Sequence, residues 1–157
     1  MFATIIAMKV DGHIGVAAPR EAVFTKLSDA RFFASCIDGV QDLTEIDPTH
    51  YSALFATKIA YLRFNFKVTV VMTKKEPPRE IEATVEGTPL GVVGRLTATA
   101  RTELTDTNGA TDIHYAIDAA LTGKLGSMGE PVLRAKAREM EKQFTERLTA
   151  AFAEAAP

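Results

Sequence analysis

The 157-residue sequence contains one cysteine and no tryptophan. The single cysteine, Cys36, cannot form an intramolecular disulfide, which fits a protein of a reducing cytosol. Basic residues are not in excess either, since 18 Lys and Arg against 20 Asp and Glu give a formal net charge of -2. A nucleic-acid partner would require a basic face. The composition therefore excludes a disulfide-stabilised scaffold and argues against nucleic-acid binding.

Long apolar runs are missing as well. The longest run is far shorter than the ~18 residues that a membrane-spanning helix needs. The N-terminal segment, Met1–Lys9, has no basic n-region and no cleavage site, so it does not resemble a signal peptide. We therefore expect a soluble cytoplasmic protein, whose contact with the inner face of the cytoplasmic membrane is peripheral and weak at most.

The sequence also lacks the residue patterns of common catalytic and metal sites. His13, His50 and His114 lie on separate predicted elements, and none has metal-ligand spacing to another histidine or to Cys36. Cys36 has no identifiable base partner, so a small buried hydrophobe is the favoured interpretation. His114 and Glu103 are interpreted as a surface pair. We predict no catalytic residue, no metal and no covalent cofactor.

The residues that are present predict one α+β domain spanning residues 1–157. Alternation of Ile6, Met8 and Val10 indicates a first strand that continues to about Val16. Two short helices follow: Pro19 suits the first position of one helix, and Asp29 suits the N-cap of the next. A block of extended segments then runs from Val40 to Thr122. This order predicts a curved antiparallel sheet of about seven strands wrapped around a long C-terminal helix.

The turn chemistry fixes the register of the last hairpin. Asn108-Gly109 favours a two-residue type I′ turn, because both positions accept positive φ. Segment 87–94 is predicted to form an earlier corner. The turn at Asn108-Gly109 would set five pairs of residues opposite each other: Leu104 and Ile113, Thr102 and Tyr115, Ala100 and Ile117, Ala98 and Ala119, and Leu96 and Leu121.

The C-terminal segment predicts one long amphipathic helix that starts between Lys124 and Met128. Its apolar residues recur at spacings of three and four, and its charged residues occupy the remaining face. Glu141 is assigned to that outward face. The apolar stripe consists of Val132, Leu133, Ala137, Met140, Phe144, Leu148 and Phe152.

Small residues on the inward face of the sheet leave two interpretations open. One is a tightly packed core, and the other is a ligand cavity of ~300–1,000 Å³. If a cavity is present, we expect it to be lined by Phe32, Phe33, Phe64, Phe66, Val68, Ala83, Val85, Leu96, Ala98, Ala100, Tyr115, Ile117, Ala119, Met128, Val132, Met140 and Phe144.

Several stretches resemble a known family. Segment 18–29 looks like the opening of the START-like helix-grip (SRPBCC) superfamily of polyketide cyclases and lipid carriers. Segment 36–40 is similar to the Ile-Pro-Gly-Val turn of the carbon monoxide dehydrogenase G-subunit family. The final strand, corner and terminal helix match that family at Tyr115, Asp118, Gly123-Lys124-Leu125, Gly129, Ala137-Arg138 and Gln143-Phe144.

The resemblance implies an accessory protein of a molybdenum hydroxylase of the carbon monoxide dehydrogenase type. It also implies recruitment of that enzyme to the membrane and binding of menaquinone, or another quinone or lipid, in the helix-grip cavity. Two departures alter these expectations. Asp38 replaces the usual Pro, so we expect a looser turn beside the cavity mouth. The chain ends at Pro157 without a hydrophobic extension, so we do not expect it to anchor stably by itself.

Three classes of function therefore stay open. The favoured one is an accessory protein that binds an apolar small molecule. The second is a small enzyme of the cyclase or hydrolase type, for which Tyr115 with Thr102 is the best inward-facing candidate. The third is a ligand-free interaction module. The sequence leaves open whether the protein forms a homo-oligomer.

Overall fold

The computed structural model describes residues 5–155, so residues 1–4 and 156–157 of the predicted domain lie outside it. Within this range seven strands form one antiparallel sheet in the order β1-β7-β6-β5-β4-β3-β2. The predicted α+β helix-grip fold is confirmed. The strands are β1 (Ile5–Val16), β2 (Val40–Asp47), β3 (His50–Ile59), β4 (Leu62–Glu76), β5 (Glu80–Pro89), β6 (Gly94–Thr107) and β7 (Ala110–Thr122).

The same residues form four helices. Asp29 is the predicted N-cap, because its Oδ1 accepts hydrogen bonds from the backbone N–H groups of Arg31 (3.0 Å) and Phe32 (3.3 Å). Pro19 has extended backbone and precedes its helix, so it lies one position before the predicted first turn. The helices are α1 (Arg20–Leu27), α2 (Ala30–Ser35), α3 (Gly123–Gly126) and α4 (Glu130–Ala155).

The β6–β7 hairpin has the register that its turn predicts. Asn108 and Gly109 both have positive φ, at 56° and 86°. All five predicted pairs, from Leu104 opposite Ile113 to Leu96 opposite Leu121, are present. The earlier corner is shorter than predicted: β5 continues to Pro89, which pairs with Phe66, and only residues 90–93 connect β5 to β6.

The terminal helix is divided, where the sequence predicted one continuous helix from about Lys124. α3 ends at Gly126, and α4 begins at Glu130 after a short turn. Pro131 explains the division. Inside a continuous helix, proline would lack one hydrogen bond and would clash with the preceding turn, but it is tolerated in the first turn of a new helix.

Gly39 joins α2 to β2 at a close backbone approach. It has φ of +90°, and a Cβ at this position would overlap the carbonyl oxygen of Ala56. We expect Gly39→Ala to lower the free energy of unfolding by about 2 kcal/mol or more, because a left-handed backbone and a backbone clash both oppose the new methyl group. Chemical denaturation measures this loss.

Gly109→Ala is the matched control for Gly39→Ala. Gly109 has a similar φ of +86°, but no atom lies within 4 Å of the position of its Cβ. The control should therefore lose only the conformational contribution, about 1 kcal/mol. Equal losses in the two variants would contradict the role assigned to the Ala56 carbonyl.

Candidate ligand-binding site

The buried apolar residues of the described chain form two separate clusters, one toward each end of the sheet. The first, here called the α1 core, comprises Ile14, Val16, Ala18, Val23, Phe24, Leu27, Ile81, Leu104, Ile113 and Leu148. The second, here called the α3 core, comprises Met8, Ile59, Phe64, Phe66, Leu121, Leu125 and Leu133.

β6 illustrates how far apart the two cores lie. Leu96 packs against the α3 core and Leu104 belongs to the α1 core. Eight residues of extended chain separate them, which corresponds to about 27 Å. The inward-facing residues between them are Ala98, Ala100 and Thr102, all smaller than the leucines at either end. The sheet is therefore covered by bulky side chains at both ends and by small ones in between.

Six small or medium apolar residues form this middle region, here called the central band. Two adjacent rows of the sheet contain them, and none belongs to either core or to the half-buried residues packed against a core. Each is half-buried rather than buried. The first row is Val70, Val85 and Ala98, and the second is Ala83, Ala100 and Ile117.

Part of this exposure arises on the opposite side of the sheet. Val85 and Ala98 also line an outer-face groove of about 730 Å³, whose other walls include Thr84, Thr97 and Thr99. The other four residues of the central band do not line that groove. Their partial exposure indicates that the helix side of the sheet is incompletely covered.

The long helix α4 crosses from one core to the other. Leu133 belongs to the α3 core and Leu148 to the α1 core. These leucines are 15 residues apart, or about 22 Å of helix. The most extensive backbone approaches of α4 to the sheet are to β1 and β3, which flank the central strands. Met140 lies midway along the helix, is half-buried and belongs to neither core.

A polar pair lies at the edge of the central band. The phenol Oη of Tyr115 donates a hydrogen bond to Oε2 of Glu141, in a half-buried position. Gly12, opposite Tyr115 on β1, provides the space for this phenol, since a Cβ on Gly12 would lie 2.5 Å from Oη. The prediction that Glu141 points outward is wrong. Glu141 follows Ala137 by four residues, so it borders the apolar stripe, a signal that the assignment overlooked.

The loop between α2 and β2 is fastened to α4 beside the site. The backbone N–H of Asp38 donates to Oε1 of Gln143 (3.0 Å), and Nε2 of Gln143 donates to the Asp38 carboxylate (2.6 Å). Arg147 forms an ion pair with the same carboxylate at 2.5 Å. The prediction that Asp38 loosens this turn is therefore wrong, because its side chain replaces the rigidity of proline with contacts to the helix.

A small cleft of about 230 Å³ opens beside this loop. Its walls include Ile37, Asp38, Phe55 and Met140. Since Met140 also lies above the central band, the cleft is a candidate entrance between α4 and β3.

Asp38 also provides a pH-dependent test of the loop contact. The hydrogen bond from Arg147 holds the pKa of Asp38 below its ordinary value. A lowered native-state pKa adds stability above the ordinary aspartate pKa of about 4, and that stability is lost as the pH falls through the lowered value. We expect Asp38→Asn to be less stable than the parent protein at pH 7, with a difference that shrinks towards pH 3.

Urea denaturation at the two pH values measures this effect. Asp11→Asn, on the exposed face of β1, serves as the control and should change little at either pH. A destabilisation by Asp38→Asn that is equal at pH 7 and pH 3 would contradict the contribution of the charge.

The predicted lining residues fall into three groups. Phe64 and Phe66 are buried in the α3 core, and Phe33 is 42 % exposed, with its ring 4.9 Å from that of Phe144. Val68, Leu96, Ala119, Met128 and Val132 pack against the α3 core, and Phe32, Tyr115 and Phe144 pack against the α1 core. The remaining six, Ala83, Val85, Ala98, Ala100, Ile117 and Met140, belong to neither core. The prediction omitted Val70, Gly12 and Glu141.

The other titratable residues occupy surface or isolated positions. Cys36 is 2 % exposed, and burial raises the pKa of its thiol, which opposes formation of the thiolate. His114 lies opposite Glu103, as predicted, and its ring stacks on that of His13 with centroids 4.5 Å apart. Within residues 5–155 no group of three or more His, Cys, Asp or Glu residues is arranged to hold a metal ion.

No helix in the described part of the chain combines the length and the apolar character that a membrane crossing requires.

Solved structures share this fold. A conserved protein from Geobacillus kaustophilus is 24 % identical, with a TM-score of 0.86, and the alignment covers 94 % of this chain and 96 % of that one. A START superfamily protein from Mycobacterium smegmatis is 12 % identical, with a TM-score of 0.72 and coverage of 94 % and 99 %. The Zhui aromatase/cyclase from Streptomyces sp. R1128 is 13 % identical, with a TM-score of 0.68 and coverage of 94 % of each chain.

A search of curated proteins finds no match. The sequence pattern of the carbon monoxide dehydrogenase G-subunit (CoxG) family, in contrast, matches residues 12–153. Because this match spans nearly the whole sequence, the chain belongs to the CoxG family of carbon monoxide dehydrogenase.

Proposed function

We propose that this protein binds an apolar small molecule, a quinone or a lipid, between the central band and α4. The observation that supports the proposal is the division of the core, with small side chains beneath the middle of the helix and bulky ones at both ends. An apolar ligand in this position would complete the core. Family membership favours menaquinone as the ligand.

The expected affinity follows from the area that the ligand would bury. Apolar burial contributes about 25 cal/mol per Å², so about 300 Å² of buried ligand surface corresponds to about 7.5 kcal/mol before the costs of binding. Those costs leave micromolar affinity within reach only when most of the ligand is enclosed. A flat headgroup with an apolar tail suits a space bounded by Ala83, Ala100, Ile117 and Met140.

Native mass spectrometry of protein purified from its source tests the proposal. We expect a bound species of constant mass, which organic extraction releases and identifies as a quinone or lipid. Titration of the extracted protein with a short-chain menaquinone analogue should then give one site per chain. Protein that carries no such species and binds no analogue would contradict the proposal and favour a ligand-free interaction module.

We further propose that the protein acts as an accessory to an oxidoreductase of the carbon monoxide dehydrogenase type, in the cytoplasm and at most at the membrane periphery. The name of its family supports this role. Co-purification from the source organism tests it: an affinity-tagged chain should retain the subunits of a molybdenum hydroxylase. Repeated recovery of the chain without them, under mild conditions, would contradict the accessory role.

A second candidate function is catalysis in the same space. The inward pair of Tyr115 and Glu141 favours it, because a phenol and a carboxylate in contact are capable of proton transfer to and from a bound substrate. Screening with esters, thioesters and polyketide mimics separates the two functions. Turnover that disappears in a stable Tyr115→Phe variant would favour the enzyme, and background rates would favour the binding protein.

A further inference from the structure

We propose that the Tyr115–Glu141 pair selects ligands whose polar end is a hydroxyl group, such as a hydroquinone or an aromatic alcohol, over ligands that end in a carbonyl. The inference rests on the proposed function, because it concerns the polar end of the same site. It adds a preference between chemical forms of an apolar ligand.

The hydrogen-bonding capacity of the pair is the first step. A tyrosine hydroxyl has one proton to donate, and a glutamate carboxylate has none. The proton of Tyr115 is already donated to Glu141. The capacity that remains, on the second carboxylate oxygen and on the phenol oxygen, only accepts hydrogen bonds. A ligand hydroxyl can donate to these atoms, whereas a carbonyl oxygen cannot.

The surroundings of the pair leave this imbalance in place. The ion pairs of α4 among residues 5–155 join Arg134 to Glu130, Lys136 to Glu139 and Arg147 to Asp38, and none includes Glu141. Gly12, on the β1 side, contributes no side chain.

Thr102 lies opposite Tyr115 on the β6 side. Its hydroxyl group can both donate and accept a hydrogen bond, so it does not discriminate between the two forms of the ligand. The carboxylate of Glu141 is therefore the group that does.

The position of the pair makes the selection effective. Tyr115 and Glu141 are half-buried at the edge of the central band, where a ligand that fills the band would shield them from water. A ligand carbonyl facing the carboxylate would remove water from it without replacing the lost hydrogen bonds. Hydrogen bonds to charged groups contribute enough to give about a 10- to 100-fold preference for the hydroxyl form.

The preference has a consequence for redox chemistry. If the hydroquinone binds 10-fold more tightly than its quinone, the reduction potential of the bound couple rises by about 30 mV, since the couple transfers two electrons. The protein would thus hold the reduced form, and a site that releases or reoxidises it would have to lie elsewhere.

Three probes with the same alkyl chain test the proposal: a 1,4-naphthoquinone, its hydroquinone kept reduced without oxygen, and the dimethyl ether of that hydroquinone. Isothermal titration should give at least about 10-fold tighter binding of the hydroquinone than of the other two. Glu141→Gln should reduce the preference to less than about threefold, because an amide both donates and accepts. Glu146→Gln, on the exposed face of α4, should leave the preference unchanged.

The outcomes separate this inference from the proposed function. Binding of all three probes with equal affinity would overturn the hydroxyl preference and leave apolar binding intact. Binding of none would overturn the proposed function as well. A hydroquinone preference that persists in a folded Glu141→Gln variant would also overturn the inference, as would a potential of the bound couple that is unchanged or lowered.

Discussion

Ala100→Phe is expected to weaken the binding of an apolar ligand by about 50-fold or more while the protein stays folded. Ala100 lies in the second row of the central band, between Ala83 and Ile117, and it does not line the outer-face groove. A phenyl ring that displaces about 100 Å² of ligand contact removes about 2.5 kcal/mol of binding free energy, or a factor of about 70 in Kd.

Thr99→Phe is the matched control for this experiment. Thr99 is the preceding residue of β6 and lines the outer-face groove. Titration with a fluorescent fatty acid or a menaquinone analogue should therefore show a weakened Ala100→Phe and an unchanged Thr99→Phe. The reverse result would locate the ligand in the outer groove and contradict a site between the central band and α4.

Leu148→Ala is expected to lower the free energy of unfolding by about 2–5 kcal/mol. Leu148 is fully buried, and it is the residue through which α4 enters the α1 core. Its truncation removes apolar burial and leaves a cavity among residues that α1, β6 and β7 hold in place. A domain of this size is stabilised by about 5–15 kcal/mol in total, so the loss should be visible in both the denaturant midpoint and Tm.

Leu90→Ala provides the comparison at constant chemistry. Leu90 is 56 % exposed in the β5–β6 loop, so the same truncation should change the free energy of unfolding by no more than about 0.5 kcal/mol. A small effect of Leu148→Ala, close to that of Leu90→Ala, would contradict the packing of α4 on the α1 core.

Local signals in the sequence predicted the features that depend on local structure. The Asn108-Gly109 turn sets the register of β6 and β7 without reference to the rest of the fold, so all five predicted pairs are present. The N-cap of α2 at Asp29 is similarly a local interaction. The division of the terminal helix was also legible in principle, since Pro131 cannot occupy the interior of a continuous helix.

Features that require distant segments to meet were not predicted. The stack of His13 on His114 follows from the pairing of β1 with β7, which brings together residues about 100 positions apart. Helical periodicity assigned the flanking residue Glu141 to the solvent face, because no sequence pattern indicates which borderline position meets a tyrosine on the sheet. The contacts of Asp38 with α4 are non-local in the same way.

The divided core also bears on how the molecule opens. Two packed clusters that share strands and one helix, but few side-chain contacts, are free to loosen separately, as units of sub-global unfolding do. A ligand between them would touch both and would couple their opening. Amide hydrogen exchange should then slow at both ends of α4 when the space is filled, and ligand release would restore the independent fluctuations of each end.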